Sequence, residues 1–213
     1  MKLFSIVLAA VTGYLFGCCN GAILISRRFF HEDIRKNGSG NAGLTNFYRV
    51  YGAKYLLPVI LIDVGKTVAA VFLAKLLFAH AVLPVLYGKL WAGLWVCVGH
   101  ALPLFFGFRG GKGILCAGTL LWMLDWRIAL AAFAAFFLVT LLTGFVSLGS
   151  ITACVSFPVT TALVFPGQPY ALAFAILIAA LAILAHHANI RRLLTGKENR
   201  FHFRGKSEKG KCM

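Results

Sequence analysis

The sequence predicts an all-α integral membrane protein with about seven transmembrane helices. Three observations carry that reading: the composition, the lengths of the apolar runs and the uneven placement of cations. Of 213 residues, 60% are apolar and only 13% charged, and the mean hydropathy is +0.85. A soluble domain carries about 25% charged residues, so this chain lacks the polar surface to cover itself in water. That excludes a soluble globule, a disordered chain and a disulfide-stapled secreted module. The net charge of +15 does not indicate a nucleic-acid partner, because the basic C-terminal segment has no stacking pattern beyond Phe201 and Phe203.

A helix needs about 20 mostly apolar residues to cross the hydrocarbon core. Taken in order, the first run, 4–25, follows Met1-Lys2 as a secretory signal would. It stays apolar to Ile25 without a good cleavage site, so it is read as a first span. The run 55–79 carries Asp63 and Lys66, three residues apart on one helix face, where a mutually neutralising pair makes buried charge tolerable. The run 84–107 contains His100 and Pro103, read as a satisfied polar kink. The run 113–124 is too short to span comfortably and is expected to be a half-helix or to lean on its neighbours. Runs 128–146, 149–166 and 169–187 follow, joined by short links without ionisable groups. One polytopic domain over 1–200 and a basic tail over 201–213 result.

Seven spans put the two termini on opposite sides. The link 26–54, the link 108–112 and the tail then share one face, which collects sixteen of the 21 basic residues. The opposite connections hold only Lys89 and Arg127, with Lys2 at the N-terminus. Cytoplasmic loops retain Lys and Arg, so the N-terminus is expected outside and the C-terminus in the cytoplasm. Basic juxtamembrane runs also attract anionic membrane lipids. The six cysteines show no CxxC spacing, and five lie in apolar runs where they act as small hydrophobes. No metal-ligand set and no disulfide framework follow.

Three segments carry chemistry. In 37–46, Asn-Gly-Ser-Gly-Asn-Ala-Gly-Leu-Thr-Asn, Gly38, Gly40 and Gly43 lie among short hydroxyl and amide side chains. Glycines let successive N–H groups turn toward one concavity that binds anions. Ser39, Asn41, Thr45 and Asn46 add small donors, and Arg49 adds a fork suited to phosphate. The following residues are helical in pattern, so a helix N-terminus can point the same way. The bland alternative is a flexible turn.

The second segment, 107–113, places Lys112 between glycines, with Gly110 and Gly111 before it. It is not a nucleotide-binding P-loop: the spacing from Gly107 is one residue short and no Ser/Thr follows Lys112. No cofactor motif appears elsewhere. The plain alternative for Lys112 is a snorkelling loop cation. Third, His186 and Asn189 lie three apart at the end of the last span, with Glu198 beyond them in the basic tail. A structural role for an interfacial histidine competes with a functional one there.

Together these segments resemble the bacterial acyl-phosphate-dependent glycerol-3-phosphate acyltransferases, the PlsY family. Its first motif is similar to Asp33-Ile34-Arg35, Gly38-Ser39-Gly40-Asn41, Gly43, Thr45-Asn46 and Arg49. Its second is similar to Gly99-His100, Pro103, Phe108 and Gly110-Gly111-Lys112-Gly113, and its third to His186, Asn189-Ile190, Arg192-Leu193, Gly196 and Glu198. Ser147-Leu148-Gly149-Ser150-Ile151 and Asp63 with Lys66 match weaker family features. The likeness runs from about residue 4 to 200. Leu44 stands for the usual Ala, Arg109 for Lys, Gly65-Lys66 inverts a common order, and Ile114-Leu115-Cys116 replaces Val-Ala-Thr.

The resemblance implies transfer of a fatty acyl group from acyl phosphate to the sn-1 hydroxyl of glycerol 3-phosphate, at the cytoplasmic face of a bacterial inner membrane, in phospholipid synthesis. Lysophosphatidic acid and phosphate would be the products, with no cofactor or metal. Ser39, Arg49, Lys112, His186 and Asn189 are the expected catalytic residues. Gly38, Gly40, Asn41, Gly43, Thr45, Asn46, Gly110, Gly111, Ser147 and Glu198 are expected to bind substrate. Two readings of the base stay open: His186, with an ordinary pKa near 6.5, or the departing phosphate itself. The competing class is a transporter of phosphorylated solutes. That would need polar groups near the midplane and usually an inverted repeat, whereas here the polar groups gather on one face.

Overall fold

The computed structural model describes residues 1–200, and the expected tail over 201–213 lies outside them. The described residues form ten α-helices: α1 (Lys2–Cys18), α2 (Gly21–Phe29), α3 (Leu44–Tyr51), α4 (Leu56–His80), α5 (Val85–Ala101), α6 (Ile114–Leu124), α7 (Trp126–Thr143), α8 (Val146–Val164), α9 (Pro169–Ala185) and α10 (His187–Leu194). All seven apolar runs are helical, but they are not equivalent as spans. Five helical stretches are long and apolar enough to cross a membrane: Lys2–Phe29, Leu56–His80, Val85–Phe106, Trp126–Thr143 and Val146–Val164. The pair α9–α10 makes a sixth only as a span bent by 61°. With 11 residues, α6 is about 16 Å long, roughly half the hydrocarbon thickness.

The first run, expected as one uninterrupted span, is broken between Cys18 and Gly21. Asn20 is the one strongly polar side chain inside 4–25, and it caps α2 by accepting from the Ile23 N–H at 3.0 Å. The carbonyls freed at the break do not stay unpaired. Lys66 on α4 donates to the Gly17 carbonyl at 3.1 Å and to the Cys19 carbonyl at 2.9 Å. Irregular backbone at such depth is tolerated only where protein satisfies it.

Small residues let the inner helices approach closely. Gly17 of α1 lies against the Val96 carbonyl and Gly99 of α5, and a Cβ on Gly99 would collide with the Tyr14 carbonyl. Without a hydrophobic drive between helices in lipid, such close backbone packing is what holds them together. The buried core between α1, α4, α5, α6 and α9 is accordingly rich in small side chains such as Ala70, Ala74, Ala92 and Ala175. Large apolar side chains face outward instead, among them Leu57, Leu61, Leu138, Leu142, Leu163 and Leu184. That inside-out distribution suits a lipid solvent. The four cysteines Cys18, Cys97, Cys116 and Cys154 are buried free thiols, and Cys19 is exposed.

Candidate active site

The links 30–43 and 102–113, the start of α8 and the α9–α10 break all meet at one end of the bundle, around a single cavity of about 360 Å³. That size suits a small-molecule site. The cavity has a polar mouth and an apolar interior, and each part has its own supports.

The first loop is held from inside. Gly38 and Gly40 take positive φ, 62° and 73°, so the chain curls around the side chain of Asn46. Asn46 Oδ1 accepts from the Ser39 N–H at 2.8 Å, and its Nδ2 donates to the carbonyls of Asn37 at 3.1 Å and Asn41 at 3.0 Å. Asn46 is expected as a ligand donor. In the structure its amide is used up organising the loop, and it also takes the Ser39 N–H out of the expected nest. What remains open to the cavity is the rim: the side chains of Ser39, Asn41, Thr45 and Arg49, and the N-terminus of α3 at Leu44 and Thr45. Gly38 and Gly40 shape the turn without lining the cavity.

Arg35 ties the first loop to the second. Its guanidinium pairs with Asp33 at 2.7 Å and donates to the Arg109 carbonyl at 2.8 Å. Hydrogen bonds from Arg35, joined by Arg27, hold the Asp33 carboxyl well below the usual carboxylate range.

The second loop is also less of a nest than its glycines implied. The Gly110 N–H donates to the Ala101 carbonyl and the Gly111 N–H to the His100 carbonyl, both at 3.0 Å. These glycines therefore clamp the loop to the end of α5 and do not line the cavity. The clamp presents Lys112, followed by the N-terminus of α6 at Gly113, Ile114 and Leu115, all on the cavity wall.

Lys112 is half-buried, and desolvation lowers its pKa to about 8. Its Nζ donates to Asn189 Oδ1 on α10. Asn189 Nδ2 in turn donates to Glu198 Oε1 at 2.7 Å, which also accepts from Ser147 Oγ at 2.8 Å. Arg192 donates to Glu198 Oε2 at 2.7 Å. Burial pushes the Glu198 carboxyl up, but bonds from Asn189, Arg192 and Ser147 outweigh it and hold the group below its ordinary value. Glu198 is thus a brace between α8 and α10. Beside it His186, 2% exposed, sits at the α9–α10 break. Its Nδ1 lies 2.7 Å from the Ala182 carbonyl, which requires a proton on Nδ1 and leaves the Nε2 lone pair free.

Ser39, Asn41, Gly43, Thr45, Asn46, Arg49, Lys112, Ser147, His186, Asn189 and Glu198 therefore border one cavity. From this mouth the cavity runs inward between α6, α7, α8 and α9. Phe157 lies ten residues beyond Ser147 on α8, about 15 Å at helical rise, and Ile178 lies eight before His186 on α9, about 12 Å. Leu121, Ala132, Phe133 and Phe136 complete an apolar wall.

A buried polar cluster adjoins the mouth. Lys66 and Asp63 form the expected ion pair at 2.7 Å, and His100 Nδ1 lies 2.9 Å from Lys66 Nζ. His100 is therefore more than a helix-end kink. Cys116, which no spacing links to this pair, joins it with Sγ 3.6 Å from His100 Nδ1. Asp63, His100 and Cys116 bring potential ligand atoms within 4.8 Å of one another, but the Lys66 ammonium already supplies the cation among them.

Comparison with known proteins agrees with this architecture. Residues 7–196 match the family described as glycerol-3-phosphate acyltransferase. Relatives of that name from Thermoanaerobacter sp. (strain X514) and Photobacterium profundum are 41% and 36% identical. The matches cover 91% and 92% of this chain and 94% and 92% of theirs. Crystal structures of PlsY, an integral membrane glycerol 3-phosphate acyltransferase, superpose with TM-scores of 0.82 for the glycerol 3-phosphate form and 0.79 for the lysophosphatidic acid form. Sequence identities are 34% and 32%, and each covers 93% of this chain and 96% of the other. With its multi-pass helical bundle, this chain belongs to the PlsY family of bacterial membrane glycerol-3-phosphate acyltransferases.

Proposed function

We propose that the chain transfers a fatty acyl group from acyl phosphate to the sn-1 hydroxyl of glycerol 3-phosphate, releasing lysophosphatidic acid and inorganic phosphate. The observation that carries this is one cavity with two natures. Lys112, Arg49 and two helix N-termini border its mouth, and an apolar passage leads from there into the bundle. Phosphates bind at helix N-termini and cations, whereas an acyl chain needs an apolar wall.

In this reading the acyl chain lies between α6 and α9. Its phosphate rests on Ser39, Asn41 and Thr45 with the first amides of α3. Glycerol 3-phosphate is held by Lys112 and Arg49, and Asn189 and His186 orient its hydroxyl. The hydroxyl oxygen attacks the acyl carbon, the bond from that carbon to the phosphate oxygen breaks, and phosphate departs. The hydroxyl proton goes to the leaving phosphate, with His186 Nε2 as the alternative acceptor. Acyl phosphate already has a good leaving group, so positioning is the protein's main contribution. Lys112 and the α6 N-terminus stabilise charge that grows on the phosphate.

Among the described residues, the twelve basic side chains of the links 26–54 and 108–112 and of 188–200 favour a cytoplasmic placement of the cavity in a bacterial inner membrane, with the N-terminus outside, the C-terminus inside and α6 counted as a seventh, incomplete span. A donor comparison tests the chemistry. Purified protein given glycerol 3-phosphate should form lysophosphatidic acid from palmitoyl phosphate and not from palmitoyl-coenzyme A. Equal use of the thioester would overturn the donor assignment.

A further inference from the structure

We propose that His100 is a positioning residue for the Lys112 loop, acting through Gly111, with Lys66 and Asp63 fixing its ring. The inference rests on the acyltransfer reading for its activity readout and on the cavity geometry for the rest.

The ring is 3% exposed, and its two edges face different partners. At Nδ1 it meets Lys66 Nζ at 2.9 Å, with Asp63 Oδ1 3.6 Å away. An ammonium can only donate, so Nδ1 accepts and the ring proton sits on Nε2. The Nε2 edge lies against Gly111: a Cβ built there would collide with His100 Nε2 and would also meet the Ala42 carbonyl at 2.6 Å. Gly111 is therefore held between the His100 ring on one side and the first loop on the other. The Ala42 carbonyl is fixed in turn by Asn20 Nδ2 at 3.0 Å. Below, Asp63 Oδ1 accepts from the Gly21 N–H at 3.2 Å, while Lys66 holds the carbonyls of Gly17 and Cys19.

One buried network thus grips the α1–α2 break, both cavity loops and the residue next to Lys112. None of Asp63, Lys66 and His100 is needed for charge balance at the phosphates, since Arg49 and Lys112 supply that. Three ionisable groups here, of which Asp63 and His100 reach the cavity wall, are costly to bury, and such groups are usually retained for a role. Setting the height of the Lys112 backbone is the role their geometry supports.

The test exploits the two edges of the ring. Glutamine places its amide nitrogen the same number of bonds from Cα as Nε2, and asparagine places its own where Nδ1 lies. Purified wild type, His100→Gln, His100→Asn, Gly111→Ala and the His100→Asn/Gly111→Ala double variant are compared by glycerol 3-phosphate titration calorimetry, kcat/KM and melting temperature in detergent. His100→Gln keeps the edge that meets Gly111 but loses the acceptor for Lys66, so it should lose less than His100→Asn and stay within about tenfold of wild type. His100→Asn and Gly111→Ala should each lose about 10- to 100-fold in affinity and kcat/KM, as small misplacements near reacting groups do. The double variant should lose no more than the worse single one, because both changes act on one contact. Asparagine matching or exceeding glutamine, or losses that multiply, would overturn the proposal.

Should His100→Asn fail to fold, a folded His100→Gln decides alone: a loss beyond tenfold in glycerol 3-phosphate affinity overturns the role. Wild type that binds glycerol 3-phosphate but transfers no acyl group would refute the donor assignment, and the order of affinities would still decide for His100.

Discussion

Lys112 should give the enzyme an alkaline limit that arginine removes. Its ammonium is half-buried at the cavity mouth, and desolvation brings its pKa down to about 8. The direction of the effect follows: the group is cationic below about 8 and neutral above, while an exposed lysine stays charged to about 10.4. Glycerol 3-phosphate is already a dianion there, since phosphomonoesters lose their second proton near 6. Wild-type kcat/KM, which reports the free enzyme, should be flat from about pH 6.5 to 7.5 and fall about tenfold per unit above 8. Lys112→Ala removes a charge-assisted hydrogen bond of about 1.5–3 kcal/mol, so kcat/KM at pH 7 should fall roughly 10- to 150-fold. Lys112→Arg never deprotonates, so its profile should be lower but flat to about pH 10. The assay is initial-rate phosphate release with the spontaneous hydrolysis of acyl phosphate subtracted. A wild-type profile flat to pH 10, or an arginine variant with the same alkaline fall, would refute the assignment of that limb to Lys112.

Other perturbations follow from the same contacts. Glu198→Gln removes an anion beside Lys112 that favours its charged form, so the alkaline limb should move to lower pH while kcat/KM drops about 5- to 30-fold; a limb that stays put contradicts the coupling. His186→Ala should cost less than about 100-fold in kcat, because in the proposed mechanism the leaving phosphate accepts the proton. A larger loss, within the 10²–10⁴ range of a true general base, would make His186 that base. Asn46→Ala strands the Ser39 N–H and two carbonyls inside the first loop. Tryptic cleavage after Lys36 should accelerate and kcat/KM fall at least about tenfold; unchanged cleavage would mean the loop holds its shape without the amide.

The helical membrane fold was legible because lipid imposes a coarse requirement, long apolar runs, that composition reveals directly. What escaped was the detail that depends on non-local pairing. The break after Cys18 was signalled by Asn20, yet a lone polar residue in an apolar run does not say that Lys66, 46 residues on, will cap the carbonyls it frees. The glycine loops illustrate a second limit. Gly110 and Gly111 suggested a nest, but whether an N–H faces a ligand or a neighbouring carbonyl depends on the end of α5, and here the carbonyls of His100 and Ala101 take both. Lys112, His186 and Asn189 do border one cavity, because each lies at the same end of a span and the alternation of antiparallel helices gathers those ends. Glu198 could be placed as a partner of Arg192 from proximity in sequence, whereas its bond to Ser147 needed the fold. The apolar passage was invisible, since the residues that line it are as hydrophobic as those that face lipid.

The proposed acyl transfer from acyl phosphate depends on a cavity where cation and apolar wall meet. The most direct measurement is phosphate release from palmitoyl phosphate by purified protein, with and without glycerol 3-phosphate, alongside Lys112→Ala. Release should depend on glycerol 3-phosphate, match lysophosphatidic acid formation one for one, and be lost or strongly reduced in the variant. Folded wild-type protein that binds glycerol 3-phosphate yet releases no phosphate, or releases it at the same rate without the acceptor, would contradict it.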